Sequence, residues 1–102
     1  MQEPVARSVI GTMTYLAPAG PLSGEAACHA LEEAISECIF ANQIQLILDL
    51  ERVSLIGSRA LEIMLDTNTR LTHSGGALRF VNPSPLVKDI LAATGLGDQA
   101  TL

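Results

Sequence analysis

The side chains with chemical reactivity are few in this sequence, and most of them stand alone. Cys28 and Cys38 lie ten residues apart on one predicted helix, which separates them by about 15 Å of helical rise. That separation is too long for a disulfide between them. His29 and His73 are isolated, and no C-x-x-C or other metal-ligand spacing occurs. We therefore expect two buried structural cysteines, no metal site and no cofactor.

Ser58 is placed as a hydrolase nucleophile would be, because it follows a predicted strand and opens a predicted helix. Its flanks, however, do not form G-x-S-x-G. A general base should lie nearby, yet His73 lies about 22 Å further along the same helix. Gly75-Gly76 is not a phosphate loop, because no Lys-Ser or Lys-Thr follows it and a strand comes next. We expect no catalytic residues and no enzymatic activity.

The first predicted helix carries apolar residues at helical spacing between Ala27 and Ile39. Ser23 is its expected N-cap, and the pattern ends near Asn42. The glutamates of this segment fall on other faces, which is typical of a solvated helix surface.

Two further helices are predicted downstream. In the last one, Ser84 is the expected N-cap, and Pro85 takes the first helical position, where its missing N–H costs nothing. Gly95, in the left-handed conformation, should end that helix. The apolar stripe of the middle helix consists of Leu61, Met64, Leu65 and Leu71 with Asn68, and the side chains expected to be buried against the sheet are Leu31, Ile35, Leu61, Leu65, Ile90 and Leu91.

Strands are predicted before, between and after these helices. Residues 5–19 contain the short apolar runs of a β-hairpin or a bent edge strand. Residues 44–50 and 77–81 are each mainly apolar, and the second half of the first run lacks alternation, as in a central strand. The order β(β)αβαβα predicts an α/β fold with a small, mostly parallel sheet of about four strands and helices mainly on one face.

Composition limits the classes of function that are available. The 102 residues are 48% hydrophobic and carry a formal net charge of −5 at pH 7, which indicates a single folded domain over residues 1–102. An acidic chain with 3% aromatic residues is poorly suited to nucleic acid, which requires clustered cations or stacking platforms. No apolar run approaches the roughly 20 residues of a membrane span, and residues 1–4 lack a signal-peptide pattern. We expect a cytoplasmic protein without direct membrane insertion.

Several short motifs occur in a characteristic order. They are Ile47-Leu48-Asp49-Leu50 with Val53, the segment from Leu55 to Leu61, Gly75-Gly76, Asn82-Pro83-Ser84-Pro85 and Thr94-Gly95-Leu96. Over roughly residues 13–97 the chain thereby resembles the STAS domain, which includes sulphate-transporter cytoplasmic domains and bacterial anti-sigma factor antagonists. A stand-alone domain of this size looks like the antagonists. The resemblance implies a signalling module in transcription regulation that binds an anti-sigma factor, a serine kinase with a histidine-kinase-like ATPase domain.

The resemblance also implies roles for residues at the start of the second helix. It makes Ser58 the phosphorylation site, where the phosphate would break the complex. It implies a partner-binding surface made of Ser23, Gly57, Ser58, Arg59 and Glu62. The family usually has an acidic residue where Gly57 stands here, and often one where Ser23 stands. Two alternatives stay open: Ser58 could serve only as a helix N-cap, and the domain could be a constitutive STAS binding subunit or scaffold, as in ABC-transporter ATPase complexes or stressosomes.

Overall fold

The computed structural model describes residues 5–96 and, for the backbone alone, residues 100 and 101. Its elements are β1 (Val5–Ile10), β2 (Met13–Pro18), α1 (Glu25–Phe40), β3 (Gln45–Asp49), α2 (Ser58–His73), β4 (Ala77–Val81), α3 (Pro85–Ala93) and β5 (Ala100–Thr101). The strands form one sheet in the order β1-β2-β3-β4-β5, in which β1 is antiparallel to β2 and the other pairs are parallel. The predicted α/β class is confirmed. No helix within these residues is long and apolar enough to cross a membrane.

The segment 5–19 forms the predicted β-hairpin. Only Gly11 and Thr12 separate the two strands, and Gly11 has a φ of +62°. Glycine suits this position because the first loop residue of a type II′ turn has a positive φ. The register starts at Ile10 opposite Met13 and continues without a bulge along six residue pairs.

One face of the sheet carries the hydrophobic core. Side chains alternate between the two faces of a strand, and the parallel register aligns Thr14, Leu46 and Leu78 in one row and Leu16, Leu48 and Phe80 in the next. All six of these side chains are buried. The apolar residues of this face form a single cluster with buried residues of α1, α2 and α3. The helices therefore pack mainly on one face, as the sequence predicts.

The buried stripe of α2 differs from the predicted one. Leu65 was expected in the core, but 40% of its surface is exposed, and that expectation is wrong. The buried face instead contains Ala60, Ile63, Met64, Thr67 and Leu71. Thr67 is tolerated inside because its hydroxyl donates to the Ile63 carbonyl at 2.7 Å, which satisfies the polar group within its own helix. The remaining expected core residues are buried or, for Leu61 and Ile90, partly buried against the core.

Two predicted helix starts had opposite outcomes. Ser84 caps α3 as expected, since its side-chain oxygen accepts a hydrogen bond from the Val87 N–H at 3.2 Å. The prediction of Ser23 as the N-cap of α1 is wrong. Gly24, with a φ of +82°, occupies that position, and no side-chain cap hydrogen bond forms. The reason is that the chain through Ser23 is still extended and paired to a second loop, so the helix starts only after Gly24 turns the backbone.

These burial differences predict unequal effects of two neighbouring substitutions in α2. Met64→Ala should lower the free energy of unfolding by about 2–5 kcal/mol, because it opens a cavity at a fully buried site. Leu65→Ala should cost less than about 1 kcal/mol, since a partly exposed leucine loses little burial and alanine favours helix. Urea unfolding of both variants beside wild type measures the difference. Equal losses would contradict the orientation of α2.

Candidate functional site

Two loops at the carboxyl end of the parallel strands are joined by their backbones. One loop follows β2 and the other follows β3. The Leu22 N–H donates to the Leu55 carbonyl at 2.8 Å, and the Gly57 N–H donates to the Leu22 carbonyl at 2.9 Å. Leu22 and Ile56 form an isolated parallel bridge, and both side chains are buried. The bridge therefore fixes the entrance to α1 beside the entrance to α2.

Gly57 is the point of closest approach between these loops. Its φ of −84° and ψ of 173° suit any residue, so conformational freedom does not explain the glycine. A Cβ atom at this position would lie 3.3 Å from the Ser23 Cβ and 3.4 Å from the Leu22 carbonyl oxygen. The contact with the Ser23 Cβ is tighter than most in proteins, so Ser23 would have to shift by a few tenths of an ångström. Ser23 and Gly57 thus lie against each other.

Ser58 is exposed at the amino end of α2. It is the first residue of the helix, and Gly57 is the N-cap. No side-chain hydrogen bond caps this helix, so Ser58 does not serve as the N-cap that the second interpretation of the sequence suggested. The first turn of α2 contains no acidic residue. The hydroxyl therefore lies on the surface at a helix N-terminus, where the macrodipole favours negative charge.

Arg59, the next residue, connects the two helices. Its Nη2 lies 3.1 Å from Glu32 Oε2 on α1, and its Nη1 lies 3.4 Å from Glu62 Oε2 one turn along α2. All three side chains are largely exposed, so each pair contributes only about 0.2–1 kcal/mol. The two ion pairs instead fix the position of the Arg59 guanidinium, which lies over the groove between α1 and α2.

Glu32 is the residue at this surface that the sequence did not reveal. The sequence pattern places Glu32 on a solvated face of α1, and 27 positions along the chain separate Glu32 from Arg59. No local spacing signals a contact over that distance; only the crossover of the chain brings the two together. The groove between α1 and α2 has a volume of about 240 Å³, and its charged walls are Glu32, Arg59, Glu62, Asp66 and Arg70.

Both cysteines are buried and free. Burial raises the pKa of the Cys38 thiol; the Arg7 guanidinium opposes this rise and the Glu37 carboxylate adds to it. The thiolate is thus disfavoured, which makes Cys38 a poor nucleophile or ligand. Within residues 5–96, no three His, Cys, Asp or Glu side chains are grouped so that they could hold a metal ion. Ser58 and His73 lie at opposite ends of α2.

Comparison with known proteins identifies the family. The STAS domain matches residues 5–102, nearly the whole chain. The chain belongs to the STAS family.

Solved structures agree with this assignment of the fold. The unphosphorylated form of the anti-sigma factor antagonist SpoIIAA superposes with a TM-score of 0.83 at 23% identity, covering 95% of this chain and 85% of that one. The phosphorylated form of the Bacillus cell fate determinant SpoIIAA gives 0.78 at 22% identity, covering 95% and 88%. An anti-sigma factor antagonist from Mycobacterium paratuberculosis gives 0.80 at 23% identity, covering 96% and 82%. A search of curated proteins finds no match.

The capping geometry predicts that three serines differ in their contribution to stability. Ser84→Ala should lower the free energy of unfolding by about 0.5–2 kcal/mol, because it removes a side-chain cap. Ser23→Ala and Ser58→Ala should each change it by less than about 0.5 kcal/mol, because neither side chain caps a helix. Thermal and urea unfolding of the three variants measures this. A loss at Ser58 as large as that at Ser84 would contradict the capping assignment.

Proposed function

We propose that this domain is an anti-sigma factor antagonist-like signalling module. It binds a serine-kinase anti-sigma factor with a histidine-kinase-like ATPase domain and is released when Ser58 is phosphorylated. The observation that carries the proposal is the exposed Ser58 hydroxyl, which opens α2 without capping it. Membership of the STAS family and the likeness to antagonist structures support the choice of partner class.

The surface around Ser58 supports binding to a protein. Ser23, Gly57 and Ser58 are brought together by the loop bridge, and Arg59 and Glu62 continue the surface along the first turns of α2. These groups are small or polar and lie on backbone that is held by hydrogen bonds, so a partner meets a surface that needs little ordering. We assign the contact with the anti-sigma factor to these five residues.

Phosphorylation at this position would act as an electrostatic switch. The helix N-terminus can stabilise an added phosphate by about 0.3–1 kcal/mol, so the free domain tolerates the modification. The complex does not, because a group with a charge near −2 would have to be desolvated at the interface. The opposite effects of one phosphate on the free and bound states drive release.

A second candidate function is a constitutive STAS subunit or scaffold, which binds its partner without a switch. One observation favours it: neither Ser23 nor Gly57 supplies the carboxylate that the family usually has beside its phosphoacceptor, and Gly57 is packed against Ser23. Both functions use a partner surface. They differ only in whether Ser58 is phosphorylated.

Mass spectrometry after incubation with ATP and the proposed partner, a serine-kinase anti-sigma factor, tests the switch. Wild type and Ser23→Ala should gain one phosphate on the Ser58 peptide, and Ser58→Ala should gain none and still bind. Ser58→Asp should weaken binding by about 2 kcal/mol or more, since it buries an unpaired charge. Ser74→Asp, at the opposite end of α2, is the matched charge control and should bind as wild type. Unmodified wild type together with normal binding of Ser58→Asp would establish the constitutive subunit instead.

A second variant tests the missing carboxylate. Gly57→Asp should speed the phosphorylation of Ser58 at equal kinase concentration, because the carboxylate can orient the hydroxyl. Gly57→Asn is the neutral control of the same size, and both require the same small shift of Ser23. The initial rates of phosphate transfer compare the two variants. An aspartate variant no faster than the asparagine variant would show that the carboxylate is not what limits the reaction.

A further inference from the structure

Leu55 is the large exposed apolar side chain of the two bridged loops. It lies three residues before Ser58 and is 42% exposed. The other large apolar side chains that are exposed within residues 5–96 belong to helices and strands: Val9 and Ile10 in β1, Phe40 in α1, Leu65 in α2 and Leu86 in α3. Leu55 is therefore the large apolar group that these loops offer to a partner beside the proposed phosphoacceptor.

The backbone bridge turns Leu55 outward. Successive side chains of an extended segment alternate between its two sides, and the bridging residues Leu22 and Ile56 are both buried in the core. Leu55 and Gly57 flank Ile56 and therefore share the opposite side of that segment. The close approach of Gly57 to Ser23 shows that the outward sides of the two loops adjoin. Leu55 thus lies on the same outward surface as Ser23 and Gly57.

Pro21 extends this apolar surface from the other loop. The parallel bridge between Leu22 and Ile56 sets Pro21 beside Leu55, one position earlier in each loop, and Pro21 is exposed as well. Three residues of chain span at most about 11 Å, so the Leu55 and Ser58 backbones lie within that distance of each other. The apolar patch formed by Pro21 and Leu55 therefore borders the Ser58 hydroxyl.

The apolar patch is fixed in place before any partner binds. The Leu55 carbonyl accepts a hydrogen bond from the Leu22 N–H at 2.8 Å, and the Gly20 N–H donates to the Arg52 carbonyl at 2.8 Å. These bonds tie the two loops together on both sides of Pro21, whose φ is also restricted by its ring. Groups that are already ordered lose little conformational entropy on association. Burial of the apolar patch can therefore contribute to affinity with little loss from ordering the loops.

We propose that Leu55, with Pro21 beside it, is the apolar anchor of the anti-sigma factor interface and fits an apolar depression on that partner. The inference rests on the function proposed above and names the chemistry that the partner must present. The five residues assigned to the partner surface are small or polar, whereas the buried centre of a protein interface is richer in apolar area and poorer in charge than its rim. Leu55 supplies the apolar centre, and the exposed charges of Arg59 and Glu62 form part of the rim.

Burial of Leu55 also strengthens the switch at Ser58. When the partner covers the anchor, water is excluded from the surroundings of Leu55, which include the Ser58 hydroxyl. A phosphate on that hydroxyl then loses its hydration on binding, and a charge that is buried without a partner is strongly disfavoured. In the free domain the same phosphate stays in water. Leu55 therefore increases the difference in affinity between the unphosphorylated and the phosphorylated domain.

Isothermal titration calorimetry with the serine-kinase anti-sigma factor tests the anchor. Leu55→Asn keeps the size of the side chain but makes it polar, so it should raise the dissociation constant by about tenfold. Leu55→Met keeps an apolar side chain of similar volume and should bind within about twofold of wild type. Ile10→Asn is the matched control, because it makes the same change to an exposed isomer of leucine at the amino end of β2, away from the bridged loops. It should bind as wild type.

The outcomes separate this inference from the proposed function. Circular dichroism and urea midpoints verify that all three variants are folded. Normal binding of Leu55→Asn, an equal loss in Ile10→Asn, or equal losses in Leu55→Met and Leu55→Asn would each overturn the anchor, while binding by wild type would still support the proposed function. A wild-type domain that does not bind the anti-sigma factor would overturn both.

A double-mutant cycle tests the link between Leu55 and Ser58. Ser58→Asp should weaken binding by a factor that is about threefold or more smaller in the Leu55→Asn background than in wild type, because a polar side chain at position 55 leaves water near the added charge. In the Ile10→Asn background the full factor should remain. Equal factors in all three backgrounds would show that Leu55 does not exclude water from the Ser58 site, and the proposed link would be wrong.

Discussion

The bridge between the loops that follow β2 and β3 is the constraint on which the rest of this site depends. Two short backbone hydrogen bonds and the buried side chains of Leu22 and Ile56 hold the loops together. Since α1 leaves one loop and α2 leaves the other, the bridge sets where both helices begin. It also keeps the chain extended through Ser23 and Gly57, so glycine backbone forms both N-cap positions. The serines are thereby left on the surface with no structural hydrogen bond to a helix end.

Elements specified by local chemistry were predictable from the sequence. The strand at 77–81 was predicted with its observed bounds, and Ser84 was predicted as the cap of α3, because a side-chain oxygen before Pro85 acts on atoms within one helical turn. Ser23 is also a serine at a predicted helix start, but it does not cap α1. Pairing of its loop to a distant loop overrides the local preference of serine for the N-cap position. Local capping signals are therefore reliable only where no second segment binds the same backbone.

The orientation of α2 and the position of Arg59 required the tertiary structure. Two adjacent stripes of α2 are both apolar enough to face a core, and the buried one includes Thr67, whose hydroxyl is satisfied within the helix. Helical periodicity favours the stripe richer in leucine and so misplaces Leu65. The pair between Arg59 and Glu32 joins residues on two different helices. Its formation follows from the crossover between β2 and β3, which no spacing within one helix encodes.

The charges around Ser58 determine how a phosphate would be held. Arg59 is the adjacent cation, but two carboxylates already engage its guanidinium. The amino end of α2 therefore has to stabilise the phosphate with backbone N–H groups and the macrodipole. This stabilisation is small, about 0.3–1 kcal/mol, so a phosphate would alter the domain's own stability little. Its main effect would fall on the complex, where the added charge has to be desolvated.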